Sequence, residues 1–309
     1  MEWAANVLNW GRRRTKKRSS HMSCSPMVAG QTAAPTTCYT KDILLKIRDA
    51  YNRTHSSDKH ITERRPDALL NALQTRLKST CAKEDCWLEL LPYHQRKYIS
   101  EQIFAPNQPK EWANNPSEWL SNFDILGVLR QYELAFPEFE FLGPSPMDFD
   151  KKLSKAGCVW DEICHFQLSK YVKKGTKKIG LSFNLDDHDE AGSHWVSLYV
   201  DIPHKLIFYF DSALNNTPPE IEVLVERIRA QAEKLGWGKM DYQKNKIQHQ
   251  FSNTECGMYS LFFFVTLVTE KWGGMGTTSI AVPASLRRFL SRRIPDKVVA
   301  QFRHHYFNN

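Results

Sequence analysis

A thiol attacks a carbonyl only as its thiolate, so a cysteine used for chemistry needs a base within hydrogen-bond reach and gains from the positive end of a helix. Cys256 meets the second condition: it follows polar Ser252-Asn253-Thr254, precedes Gly257, and leads into the apolar run Tyr259–Val268, which reads as a buried helix. A cysteine beside a Phe-rich run is ordinarily a packed core residue. The feature that favours chemistry lies upstream. Trp195–Ile202 and Leu206–Phe210 read as strands joined by a turn at Pro203-His204, which pairs Val196 with Asp211, or one position to either side. In each register His194, entering one strand, and Asp211, leaving its neighbour, meet at the same edge of a sheet. A general base and the carboxylate that orients it require this arrangement. The expected roles are Cys256 as nucleophile, His194 as base and Asp211 as orienter.

The elements that would position these residues follow from periodicity. Ile179–Leu185 reads as a further strand, and Pro219–Leu235 as a helix with Ile221, Leu224, Val225, Ile228 and Ala232 at helical spacing, stopped before Gly236. A strand is expected around Met240 and Tyr242. Nearer the amino terminus, Thr40 caps a helix carrying Ile43, Leu44, Ile47 and Tyr51, and Pro66 opens another carrying Leu69, Leu70, Leu73 and Leu77. A third starts at Asn122 with Ile125, Val128, Leu129 and Tyr132 on one face, and the intervening Trp87, Trp112 and Trp119 suggest an irregular aromatic connection. The expected organisation is a basic disordered tail (1–37), its residues 19–37 a flexible tether, then a helical arm domain (38–138) and a catalytic domain (139–309), of α+β class.

Composition bounds the function classes. With 41% hydrophobic residues the chain can bury a full core, and it lacks a signal-peptide h-region or an apolar stretch near the roughly 20 residues that span a bilayer, so a soluble protein not secreted by the usual route is expected. Seven cysteines without a C-x-x-C pair, in a chain too large to need staples, suggest a reducing compartment. Cys81/Cys86 and Cys158/Cys164/His165 do not match zinc-ligand spacings and are expected to be packed thiols, with no metal bound. Of the net charge of +8, six charges sit on Arg12, Arg13, Arg14, Lys16, Lys17 and Arg18, so the rest of the chain is close to neutral. That run reads as a solvated charge cluster, a contact for nucleic-acid phosphates or a nuclear-import address. Arg287, Arg288, Arg292 and Arg293 form a second basic cluster, on a solvated helix face or a phosphate-contacting strip.

Gly192-Ser193-His194-Trp195-Val196, Tyr209-Phe210-Asp211-Ser212, Gln250 and Thr254-Glu255-Cys256-Gly257 together resemble the ubiquitin-like-protein-specific cysteine protease superfamily, which includes the SUMO proteases and the adenovirus endopeptidase. The 17 positions from His194 to Asp211 and the six from Gln250 to Cys256 are similar to those of the SUMO-protease branch. A longer likeness, over Trp119–Asp150, His194–Pro219, Ile247–Ser260 and RRIPDKVVAQFRHHYF, is to the polyprotein-processing proteases of large DNA viruses of the African swine fever virus type. These carry asparagine in the place of Asp211, and either residue can orient an imidazole. The resemblance implies a papain-like core with an amino-terminal helical arm, and Gln250 as the side-chain donor of an oxyanion hole, with Gln248 as its competitor at a poorer spacing. Trp195 either lines a narrow tunnel that admits only glycines or packs as a core aromatic. The implied substrate is a protein cut after a Gly-Gly-type sequence during virion maturation; removal of SUMO or another ubiquitin-like modifier, and a nucleic-acid-binding virion protein that keeps a protease fold, are the alternatives. No cofactor is required, although the adenovirus relative's use of nucleic acid raises the expectation of stimulation by nucleic acid here. Host cytoplasm and the virion core are the implied locations, with the nucleus added by the basic run.

Overall fold

A computed structural model describes residues 22–81, 83–153 and 157–309. The basic run Arg12–Arg18 lies outside them. The chain divides into two compact units, one running to Asn107 and including His304–Asn309, the other Gln108–Arg303.

The first unit is built on helices α1 (Lys41–Thr54), α2 (Pro66–Leu77) and α3 (Tyr93–Ile103). The Thr40 hydroxyl caps α1 through the Ile43 N–H, and Pro66 opens α2, as their residue types dictate. Leu44, Ile47, Leu69, Leu73, Trp87 and Phe104 share its core. Residues 22–37, expected to be a tether, are instead part of this unit. Met22 and Val28 are buried in the same core, the Ser25 N–H donates to the Ile103 carbonyl, and Cys24 is bonded to Cys38. A few apolar side chains and a crosslink suffice to order a segment whose composition reads as flexible. The carboxyl-terminal residues also belong here, because the Asn308 side chain donates to the Ser23 and Ala105 carbonyls.

The second unit begins at Gln108, ahead of the expected boundary at 138/139. The cause is α4 (Asn122–Ala135), which starts in a capping box between Ser121 and Asp124 and packs on β1 (Phe139–Ser145). After α5 (Asp161–Cys164) and α6 (Leu168–Lys174) come β2 (Lys178–Asn184), β3 (Trp195–Asp201), β4 (Leu206–Phe210), α7 (Pro219–Lys234), β5 (Asp241–Lys244), α8 (Cys256–Thr269) and α9 (Val282–Ser291). The strands form a sheet in the order β1-β2-β3-β4-β5, antiparallel in its centre and parallel at both edges. Alternation sorts the side chains. Ile179, Leu181, Val196, Leu198, Val200 and Ile207 share one core with Ile221, Leu224, Val225 and Ile228 of α7. On the opposite face Phe210 stacks on Phe263 of α8 with ring centroids 4.8 Å apart. Covering both faces buries every residue of β3 and β4 and makes α8 apolar around its circumference.

Candidate active site

The central hairpin has the expected register: Ser197 pairs with Phe210 and Asp201 with Leu206, which carries Asp211 to the level of Val196. The edge where β2 and β4 end and β3 begins therefore holds His194 and Asp211 together. Gly192 makes the tight approach to β3. Its φ is +90° and a Cβ there would lie 2.7 Å from the Asn184 amide nitrogen, while the Asn184 Oδ1 accepts from the Ser193 N–H.

His194 Nε2 lies 2.6 Å from Asp211 Oδ1. The same carboxylate accepts from the backbone N–H groups of Ala213 and Asn215, each at 2.8 Å. With Nε2 committed to Asp211, Nδ1 is the ring nitrogen left for Cys256, whose interaction with the ring favours the imidazolium. Burial opposes the imidazolium, but the interactions with Asp211 and Cys256 outweigh it and bring His194 up to about 9. Burial likewise opposes the Asp211 carboxylate, and its contact with His194 together with the two backbone donors keeps it below its ordinary range.

Cys256 is the first residue of α8, and no acidic residue lies in that helix's first turn, so the helix amides face the thiol without competition from their own helix. Gly257 sets its approach. A Cβ there would lie 3.0 Å from the Leu120 Cβ, and the Leu120 carbonyl accepts from Trp195 Nε1 at 2.9 Å. Trp195 is 7% exposed and packed in this contact. Trp119, next to Leu120, is the more exposed tryptophan.

Gln250 is buried beside the pair. Its Oε1 accepts from Ser212 Oγ at 2.7 Å, its Nε2 donates to the Ser252 carbonyl at 2.5 Å, and its backbone N–H donates to the Ser212 carbonyl. Gln248 donates to the Gln250 carbonyl and so braces that backbone. His249 is held neutral between the Ile294 N–H and the Phe289 carbonyl, burial pushing its pKa down.

Sequence reasoning missed three supports. Asn245 accepts from the Asp211 N–H at 3.0 Å and donates to its carbonyl at 2.7 Å, clamping Asp211 at its backbone. Ser212 links that residue to Gln250, and Arg303 pairs with Glu255 beside Cys256. A lone asparagine after a strand and an arginine 47 positions beyond Cys256 carry no periodicity or spacing signal. The packed-thiol expectation is also corrected. Cys24–Cys38, Cys81–Cys86 and Cys158–Cys164 are bonded pairs, and Cys256 is the free cysteine. The Cys158, Cys164 and His165 ligand atoms lie within 4.8 Å of one another, but the two sulfurs are bonded together and Lys152 Nζ donates to Cys158 Sγ at 2.9 Å, which disfavours a cation there. Among the described residues no helix is long and apolar enough to cross a membrane.

An α+β core with a thiol at a helix start, a histidine and a carboxylate at a sheet edge is a papain-like cysteine protease core. Residues 176–272 match the Ulp1 protease family, C-terminal catalytic domain. The chain is 25% identical over 283 residues to a thiol protease of Acanthamoeba polyphaga mimivirus, covering 84% of this chain and 91% of that relative. It is 27% identical over 268 residues to the SUMO-1 cysteine protease of African swine fever virus, covering 82% and 92%. The crystal structure of the African swine fever virus protease superposes with a TM-score of 0.61 at 23% identity over 96% of this chain and 98% of that one, and so shares its fold.

Proposed function

We propose that the protein is a cysteine endopeptidase that cuts viral structural polyproteins after Gly-Gly-type sites. The observation that carries this reading is the free Cys256 at the start of α8, in electrostatic contact with an imidazole that Asp211 holds in place. The Cys256 thiolate adds to the scissile carbonyl, and the oxyanion is received by the Cys256 N–H and by Gln250 Nε2, which exchanges its Ser252 partner for it. His194, as imidazolium, protonates the leaving amine. It then takes a proton from the water that hydrolyses the thioester. Glycines at the cleavage site suit an approach to Cys256 bordered by a large aromatic such as Trp119, the more exposed tryptophan beside Leu120.

Incubation with a Gly-Gly-X precursor peptide tests this: the wild-type chain cleaves it after the second glycine, and Cys256→Ala does not. Cleavage by both chains, or by neither, overturns the assignment.

Removal of a ubiquitin-like modifier is the second reading, supported by the Ulp1 match and by the name of the African swine fever virus relative as a SUMO-1 cysteine protease. A vinyl-sulfone probe of SUMO that labels Cys256 while the viral-type peptide stays uncut would favour it. Stimulation by nucleic acid through Arg12–Arg18 is a separate proposal. It predicts faster turnover with duplex DNA at low salt, an effect lost as salt rises.

A further inference from the structure

The residue before the nucleophile is an acid, and its charge is compensated by a residue from the other end of the unit. Glu255 is 4% exposed and Arg303 6%. Arg303 Nε donates to Glu255 Oε2 at 3.2 Å and Nη2 to Oε1 at 3.0 Å, and Thr254 Oγ1 donates to Oε1 at 3.1 Å. The guanidinium also donates to the carbonyls of Thr254 and Glu118, at 3.3 and 3.2 Å, and its carbon sits 4.4 Å from the Trp112 ring centroid. One side chain thus ties the backbone entering Cys256 to the segment that leads to Leu120, against which Gly257 packs.

We infer that Arg303 is a positioning residue for the nucleophile: it keeps Glu255 as half of a buried ion pair, so that no uncompensated carboxylate stands beside a sulfur that must become an anion. The inference rests on Cys256 being the nucleophile. An acid at a helix start ordinarily favours the helix. Here the same position borders the thiol, and a like charge in a poorly solvated setting opposes thiolate formation. The other titratable or charged groups around this helix start are His194 and Asp211 from the hairpin, and Tyr259 on α8 with Asp296 and Arg293 behind it. None of these replaces Arg303 as a partner for Glu255 in the bonds described above.

The test is the pH dependence of iodoacetamide alkylation of the full chain, with the labelled site mapped by peptide mass. Arg303→Met is expected to move the midpoint for Cys256 up by about one pH unit, a roughly tenfold slower alkylation at neutral pH. The double variant Glu255→Gln/Arg303→Met is expected to return the midpoint to within a few tenths of a unit while its melting temperature stays below wild type. A merely structural role would lower stability in both and move the midpoint in neither; that result, or a double variant that keeps the displaced midpoint, overturns the inference. If Arg303→Met does not fold, Glu255→Gln alone leaves the arginine charge unopposed and is expected to move the midpoint down, an unmoved midpoint again overturning it. A label that maps elsewhere than Cys256, or cleavage by Cys256→Ala, defeats the nucleophile assignment instead, whatever the midpoint.

Discussion

A half-buried imidazole such as that of His194 should shed its proton readily, since desolvation penalises the cation, yet its interactions with Asp211 and Cys256 hold it at about 9. The sign of the consequence is fixed. In the unfolded chain the same ring titrates near 6.5, so the stability it contributes is complete below that pH and is lost as the pH rises through about 9. Asp211 behaves oppositely, its contribution present above the usual carboxylate range and lost as the pH falls through its lowered value. In the proposed mechanism the imidazolium is the proton donor to the leaving amine, so kcat/KM should fall on the alkaline side with a midpoint near 9. Asp211→Asn keeps an oxygen to orient the ring and removes the charge. Its alkaline midpoint should drop by about two units, making it about tenfold slower than wild type at pH 8 and closer to it at pH 6. A pH–rate profile of both proteins checks this, and an alkaline limb that stays in place would show that Asp211 does not set the charge of His194.

At the scale of elements, the site depends on how closely α8 can approach the Trp119–Leu120 segment. Gly257→Ala introduces a methyl 3.0 Å from the Leu120 Cβ, tighter than ordinary contact. Overpacking of this kind costs about 1–3 kcal/mol, readable as a lower urea midpoint at unchanged slope. Because the displaced residue adjoins Cys256, the proposed nucleophile, kcat/KM should fall further than the stability loss explains; a variant destabilised but fully active would remove Gly257 from the positioning of Cys256. The hairpin and α8 were legible in the sequence because their signals are local: alternation on either side of Pro203-His204, and a polar-to-apolar switch at Cys256. β1 was not, since its parallel partner β2 lies 39 positions away and no tight turn links them. α3 escaped for another reason: of its eleven residues only Ile99 and Ile103 are buried, too few for a stripe. Asn245, Ser212 and Arg303 act through single polar contacts across the fold, which leave no period to read. His194, Asp211 and Cys256 could be proposed as a set from the sequence because the family spacing and the hairpin register agreed.

At the scale of the whole chain, the cysteines separate structure from chemistry. Size alone argued against crosslinks, because a core this large does not need them, but three pairs close short loops and leave Cys256 as the free thiol. Cys24–Cys38, with a separation of 14 residues, holds the segment that composition would have left loose, and closing such a loop stabilises by about 3 kcal/mol. The pairing yields a count. Iodoacetamide added to the native chain without reductant should label one cysteine, Cys256. Unfolding in guanidinium without reductant should still give one label, since burial is removed and bonds are not; reduction before alkylation should give seven. More than one label in the unfolded, unreduced chain would show that the crosslinks do not form. Cys24→Ser/Cys38→Ser should then lower the unfolding free energy by up to about 3 kcal/mol and leave the alkylation rate of Cys256 unchanged, because the reactivity of that thiol is set by His194 and the start of α8, within the other unit.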